Sequence, residues 1–239
     1  MIDSVDINGV VISGNVSSIG GTTSTADVLT LLGTGGSIAI SDIESVLGST
    51  GTDAVTLNTA NSGTVFVSDV ETVVGSTGTD VLSMLTSGTM SVSGVESVLG
   101  TTATTDVLNL LAGGAVSVSD IDTVLGSTDT TDAITMLATG TMTVSAVESV
   151  IGSTDTTDIV NMLGGGSLSV SAVESLVGTT AVEVVTLANA GDSLSVSAID
   201  TIIGTTDTTE AVTLLAAGTV SVSAIDSVTG TTGTDVLNL

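Results

Sequence analysis

The sequence predicts an all-β protein, a parallel β-solenoid of the β-helix or β-roll kind, with about nine 26-residue coils and roughly three short strands per coil. Three observations support this fold class. Apolar residues alternate with polar ones at a period of two, Val, Ile, Thr and Ser dominate, and a glycine closes each repeat at intervals of 25 to 27 residues. We therefore expect a single repeat domain over residues 1–239. The repeat glycines are Gly21, Gly48, Gly75, Gly100, Gly126, Gly152, Gly178, Gly204 and Gly230.

The three strands of a repeat follow one another in a fixed order. The first strand opens after an acidic residue, as after Asp132, where Ile134 and Met136 flank a threonine. The second strand alternates again, as at Met142 and Val144, and the third carries an apolar pair three residues apart. Turns that contain glycine separate the first two strands, which is the pattern of short strands joined by tight connections.

The apolar residues predict an aliphatic core. If each coil stacks on the equivalent coil about 4.8 Å away, like side chains form columns along the interior. Such a narrow interior accepts Val, Ile, Leu and Met but would be overfilled by aromatic rings, and Phe66 is the one aromatic residue. The predicted core columns are Leu29, Val55, Leu82, Leu108, Ile134, Val160, Val185, Val212 and Leu237, and Ile40, Val67, Val92, Val118, Val144, Val170, Val196 and Val222.

The composition excludes several classes of function. The chain has 26 acidic residues, no Lys, Arg, His or Cys, and a formal charge of −26. Without His or Cys there is no ordinary zinc, haem or iron–sulfur site and no thiol or serine–histidine catalysis. Without Lys or Arg, nucleic acid is not expected as a partner. No apolar run reaches the length of a membrane span. We expect no enzyme activity and no membrane insertion.

The acids recur at two positions of the repeat, at the opening of the first strand and within the third segment, and Asp129, Asp155 and Asp207 form a partial third set. Stacked on successive coils, like charges about 5 Å apart would repel by roughly 0.9 kcal/mol per pair, so cations, low pH or high salt should relieve them. Calcium is the natural cation because it takes carboxylate and carbonyl oxygens. The alternative is that the acids only keep the protein soluble and prevent random bundling. The acids that open the first strands are also expected to cap them by accepting backbone N–H groups, a role compatible with metal binding. The candidate metal ligands are Asp53, Asp80, Asp106, Asp132, Asp158, Glu210, Asp235, Asp129, Asp155 and Asp207.

The turns before three of the first strands carry a resemblance. The segments that begin at Gly48, Gly75 and Gly230 read G-S-T-G-T-D-A-V-T, G-S-T-G-T-D-V-L-S and G-T-T-G-T-D-V-L-N. They resemble the repeats-in-toxin nonapeptide G-G-x-G-x-D-x-L-x, and the wider unit is similar to repeats of large secreted and surface proteins of proteobacteria. The resemblance implies bound calcium and export by a type I-like route without an N-terminal signal peptide, hence an extracellular or cell-surface location.

The N-terminal sequence leaves other locations open. Residues 1–20 contain no basic residue, so they lack the n-region of a secretory signal. A protein retained inside the cell, or one whose leader has been removed, would look the same.

Two terminal segments predict self-association. The stretches Met1–Ser13 and Asp235–Leu239 read as strands of open coils, whose unpaired edges could add another copy head to tail. The resulting expectation is a self-assembling structural protein, as a filament, sheath or surface-layer component, with Ca²⁺ neutralising its acids. A secreted calcium-binding adhesin module that does not polymerise is one alternative, and an ice-binding protein is another.

Overall fold

The computed structural model describes residues 8–12, 16–22, 26–58, 63–206 and 209–239. Every regular element of these residues is a β-strand, and none of them forms a helix with the length and hydropathy of a bilayer span. The chain divides into two compact units, Met1–Ile121 and Asp122–Leu239. The expectation of a single domain over 1–239 stays a prediction.

The first unit contains two parallel sheets, one of odd-numbered and one of even-numbered strands. The odd-numbered strands are β1 (Asn8–Ile12), β3 (Val28–Leu31), β5 (Ser45–Leu47), β7 (Thr64–Ser68), β9 (Val81–Met84), β11 (Ser97–Leu99) and β13 (Ala115–Ser119). The even-numbered strands are β2 (Ser18–Gly20), β4 (Gly35–Ser41), β6 (Thr52–Leu57), β8 (Thr72–Val74), β10 (Thr89–Ser93) and β12 (Val107–Leu110). The chain therefore crosses from one sheet to the other after every strand.

The second unit follows the same plan. Its even-numbered strands are β14 (Thr123–Leu125), β16 (Thr141–Ser145), β18 (Ile159–Met162), β20 (Ser175–Val177), β22 (Ser193–Ser197), β24 (Ala211–Leu214) and β26 (Ser227–Thr229). Its odd-numbered strands are β15 (Ala133–Met136), β17 (Ser149–Ile151), β19 (Gly166–Ser171), β21 (Glu183–Leu187), β23 (Thr201–Ile203), β25 (Thr219–Ser223) and β27 (Val236–Asn238). Neighbouring strands of each sheet pair in parallel.

The parallel β-solenoid is confirmed, but one repeat is not one turn. Ala133 of β15 pairs with Ser149 of β17, sixteen residues on, while Thr141 of β16 pairs with Ile159 of β18. A turn thus uses two strands and a repeat supplies three, so each repeat makes one and a half turns. The chain makes about 12 turns rather than the nine coils predicted, and the cross-section has two sheets rather than three.

The two sheets of each unit bury one face each. In β15 and β16 exposed or half-buried residues alternate with buried ones, as alternation across a pleated strand requires. Both predicted sets of core positions are buried at every position from Leu29 to Val222, while Leu237 is exposed. Their stacking differs from the prediction, because Ile134 packs against Val150 and Val150 against Val170. A column thus mixes first, third and second strands, since equivalent residues of successive repeats lie on opposite sheets.

Three kinds of connection join the strands, and we name them by their residues in the second unit. A leucine loop (137–140) joins the first strand to the second, a left-handed turn (146–148) joins the second to the third, and an acidic loop (152–158) joins the third to the next first strand. With two strands per turn and three per repeat, each edge of a unit carries these connections in the cyclic order acidic loop, left-handed turn, leucine loop.

Candidate functional site: the acids of the acidic loops

The left-handed turns begin with a residue whose φ is near +50°, a region that costs non-glycine residues energy. Ala146 and Ala172 both have a φ of 52°. The glycine that opens the acidic loop lies directly against this turn, since Gly152 donates its N–H to the carbonyl of Ser171 at 2.8 Å. The repeat glycine is thus required by a close backbone approach between successive turns.

The acidic loop 152–158 is folded around the side chain of Asp158. Carboxylate oxygen Oδ2 accepts the backbone N–H of Ser153 at 2.6 Å and its hydroxyl at 2.8 Å. Oxygen Oδ1 accepts the N–H of Gly140, from the leucine loop of the preceding turn, at 3.2 Å. Asp158 is completely buried. Hydrogen bonds to the charged form offset the loss of hydration, which is how a buried carboxylate is kept without a basic partner.

The next turn binds the same residue from the other side. The backbone N–H of Asp158 donates to Oε2 of Glu174 at 2.8 Å, and the carbonyl of Asp158 accepts the N–H groups of Glu174 and Ser175 at 3.2 and 3.1 Å. Glu174 belongs to the left-handed turn, so the acid before the third strand caps the start of the first. Each acidic loop is held between two neighbouring turns.

The arrangement recurs in both units. The first-strand acid accepts a Ser or Thr backbone N–H of its own loop at 2.5 to 2.7 Å at Asp27, Asp53, Asp80, Asp106, Asp132 and Asp235. Its N–H donates to the carboxylate before the third strand in the pairs Asp27–Glu44, Asp53–Glu71, Asp80–Glu96, Asp132–Glu148, Glu183–Asp200 and Glu210–Asp226. The predicted strand-capping role of these acids is therefore present.

The predicted stacking of like acids on consecutive turns is wrong. Asp132 and Asp158 are one repeat apart, which is one and a half turns, so they lie at opposite edges. The residue that lies one turn beyond Asp132 is Glu148, and it accepts the N–H of Asp132 rather than repeating its carboxylate position.

Two acids of the second unit have perturbed pKa values. The pKa of Glu210 lies below its ordinary value, chiefly because the Thr205 hydroxyl donates to its carboxylate, while burial acts in the opposite direction. The pKa of Asp192, before β22, is raised because burial disfavours its charged form, although the backbone amides of Ala172 and Asn189 oppose this. Capping and burial thus act in opposite senses on neighbouring carboxyls.

The candidate metal ligands fall into distinct environments. Asp53, Asp80, Asp106, Asp132, Asp158 and Glu210 are buried, Asp235 is half-buried, and Asp129 and Asp155 are exposed. Asp207 lies outside the described residues. Within the described ranges no three acidic side chains are grouped closely enough to hold a metal ion. Calcium binding at these residues stays a prediction.

Sequence reasoning missed an exposed leucine at the end of the first strand. These leucines are between 50 and 62% exposed at Leu32, Leu85, Leu111, Leu137, Leu163 and Leu215. The sequence contains a signal for these exposed leucines, because each of them directly follows another Leu or a Met. In an alternating strand only one of two adjacent apolar residues can face the core. The second must then lie at the surface, where it is the first residue of the leucine loop.

Comparison of the chain with protein-family models, with curated proteins and with solved structures finds no match.

Proposed function

We propose that this chain is a structural repeat protein that self-associates head to tail by adding strands to the edge of its sheets. The observation that carries the proposal is the exposure of β27. Its apolar residues Val236 and Leu237 are 46 and 41% exposed, whereas the residues at the same repeat position as Leu237, such as Val212 and Val185, are at most 1% exposed.

The backbone of β27 also presents hydrogen-bonding groups. Val236 donates its N–H to Gly218 at 2.8 Å, on the side of β25, which is the one described neighbour of β27. Since successive residues of a strand bond to opposite sides, the N–H and carbonyl of Leu237 point away from β25. An exposed edge with apolar side chains is a template for another strand.

The strand direction favours an open assembly. All described pairs are parallel, and an added strand that continues this pattern beyond β27 runs in the same direction. In the first unit, β1 and β2 each have a single neighbour among the described strands. Contact between two different edges is heterologous, and such contacts propagate into filaments rather than closed dimers.

Charge should control this assembly. Two chains that each carry −26 and no basic residue repel strongly at low ionic strength. Divalent cations that bind exposed carboxylates, such as those of Asp129 and Asp155, would lower the repulsion. We therefore expect calcium to promote assembly. The extracellular location implied by the repeats-in-toxin resemblance stays a prediction, as does the lack of enzyme activity.

The test compares two variants with the same change of chemistry. Leu237→Asp places a charge on the proposed edge, and Leu163→Asp places one on a side chain that is already 62% exposed and away from that edge. In millimolar calcium, sedimentation and negative-stain microscopy should show filaments for the wild type and Leu163→Asp, and monomers for Leu237→Asp. Without calcium, the wild type and Leu163→Asp should form fewer filaments.

The outcomes separate the proposal from its rivals. Wild-type protein that stays monomeric under all conditions would overturn self-assembly and favour a non-polymerising module. Assembly lost in Leu163→Asp but kept in Leu237→Asp would place the contact on the leucine loops and reject strand addition. The melting temperature of each variant, measured in the monomeric state, checks that neither is unfolded.

A further inference from the structure

Each unit contains a cleft at the same position of the repeat. In the first unit a cleft of about 180 Å³ lies between the left-handed turn at 69–71 and the leucine loop at 85–88. In the second unit a cleft of about 210 Å³ lies between the turn at 198–200 and the loop at 215–218, and residues 179–181 of the acidic loop one turn earlier also line it. Among the described residues no first-strand acid hydrogen-bonds across this junction, although in the first unit the N–H of Asp69 donates to the hydroxyl of Thr86 at 3.3 Å.

The two clefts share an apolar floor. In the second unit the floor consists of Ile199, Leu214 and Val220, and Ala216 and Ala217 form part of the rim. The corresponding floor residues of the first unit are Val70, Met84 and Met90. Because the floor side chains are buried in the solenoid core, the depth of the cleft does not depend on mobile surface groups.

Both clefts have a carboxylate at the third position of the left-handed turn, and Asp69 is a second carboxylate in the lining of the first cleft. In the second unit the residue at the third position is Asp200, an exposed residue whose Oδ2 accepts the N–H of Glu183 at 3.0 Å. In the first unit it is Glu71, whose Oε2 accepts the N–H of Asp53 at 2.7 Å. The capping bond fixes the position of the side chain, and one oxygen of each carboxylate is sufficient for it.

We propose that these clefts bind lysine side chains of a basic protein partner. The volumes are below the ~300–1,000 Å³ typical of sites for drug-sized ligands, so they suit one side chain. The four-carbon stem of a lysine would lie on the apolar floor, and its ammonium group would meet the carboxylate, as lysine side chains do at interfaces between apolar surface and charge. The chain has no lysine of its own, so the partner must be a different protein.

Titration with a minimal probe tests this proposal. Methyl NMR of the full-length protein, in low salt without calcium, would follow Ile199 and Val220 during addition of Nα-acetyl-lysine methylamide. We expect saturable shifts at these methyl groups. Nα-acetyl-norleucine methylamide, which has the same stem and no charge, should produce no saturable shift. Equal responses to both probes, or no saturable response to lysine, would overturn the proposal.

Three variants distinguish the cleft from general attraction to an acidic protein. Asp200→Asn keeps an oxygen acceptor for the Glu183 amide and should weaken binding at this cleft about tenfold. Asp155→Asn removes the same charge from an exposed loop and should leave binding unchanged. Ala216→Leu keeps the carboxylate, fills the cleft and should abolish binding. Equal weakening by the two Asn variants would reject a specific site.

Discussion

A buried carboxylate in a chain without basic residues needs a local source of stabilisation. Asp158 has it in three donors to its side chain, two from Ser153 and one from Gly140. Each bond to an ionised acceptor is stronger than a neutral one, and together they replace the lost hydration. The acids therefore stabilise the loops of the solenoid, and the negative charge of the chain is partly a consequence of how its loops are closed.

The repeat glycine at the start of each acidic loop should tolerate a methyl group poorly. A Cβ on Gly152 would lie 1.7 Å from the carbonyl oxygen of Ala172 and 2.9 Å from Oδ2 of Asp158. Both belong to fixed structure, so we expect Gly152→Ala to destabilise the protein by about 1–3 kcal/mol in urea unfolding. Gly140→Ala is the matched control, since nothing lies within 4 Å of its Cβ, and it should change stability by less than about 0.5 kcal/mol. Similar losses in both variants would contradict the close approach.

The opposite pKa shifts of Glu210 and Asp192 predict opposite effects of pH. A lowered pKa means that Glu210 stabilises the fold above its ordinary pKa, and this contribution is lost as the pH falls through the lowered value. A raised pKa means that Asp192 favours the fold when protonated, and this contribution is lost as the pH rises through the raised value. At pH 7 we expect Glu210→Gln to lower the melting temperature and Asp192→Asn to leave it unchanged or raise it.

Melting curves between pH 7 and pH 3 provide the check on these two variants. The difference between each variant and the wild type should shrink on acidification, because the wild-type side chain becomes neutral like the amide. A Glu210→Gln variant that is less stable by the same margin at every pH would show that the lost contact is steric rather than electrostatic. For Asp192→Asn, a lower melting temperature at pH 7 would contradict the desolvation that raises the pKa of Asp192.

At the scale of the elements, the sequence predicts the strands but not how they stack. Alternation places Ile134 and Met136 inside a first strand and Met142 and Val144 inside a second, and all four are buried. Alternation cannot reveal which strands become neighbours, because the same residues of each strand would be buried in a solenoid with two sheets and in one with three. The pairing of Ala133 with Ser149 depends on the lengths and conformations of the connections.

The left-handed turns explain why the connections were hard to predict. Asp, Ala and Gly occur at the same turn position, with positive φ at Asp120, Ala146 and Gly94. Gly favours this conformation and Asp tolerates it, but Ala has no local reason to adopt it. The turn is imposed by the stacking of neighbouring turns, and no short-range signal in the sequence marks it. The clefts beside these turns were therefore not predictable. The capping role of the acids was predictable, because an acid directly before a strand is a short-range signal.

At the scale of the whole molecule, each repeat has three strands, whereas the strands alternate between only two sheets. Successive repeats therefore alternate between the two sheets, and two repeats complete three turns. Within the second unit, β15–β17, β17–β19 and β19–β21 show the rule: a first strand is followed in the sheet by a third, a third by a second, and a second by a first. The rule depends on the order of strands and not on which sheet holds them, so stability should follow repeats rather than turns.

This rule predicts that a longer deletion is tolerated better than a shorter one. Removing Ala133–Asp158 takes out three strands and joins Asp132 to Ile159, which follows an equivalent acid, so every later strand keeps neighbours of the same kind. Removing Ala133–Glu148 takes out one full turn and joins Asp132 to Ser149. A third strand then occupies the position of a first strand, and the N–H of Asp132 loses its hydrogen bond to the Glu148 carboxylate. Because nearest neighbours determine stability in repeat proteins, we expect the longer deletion to change the melting temperature by less than about 4 °C and the shorter one to lower it on the order of 10 °C. Circular dichroism gives the melting temperatures of the two variants and the wild type. If the variant with the shorter deletion has the higher melting temperature, the unit of this fold is the turn and not the repeat.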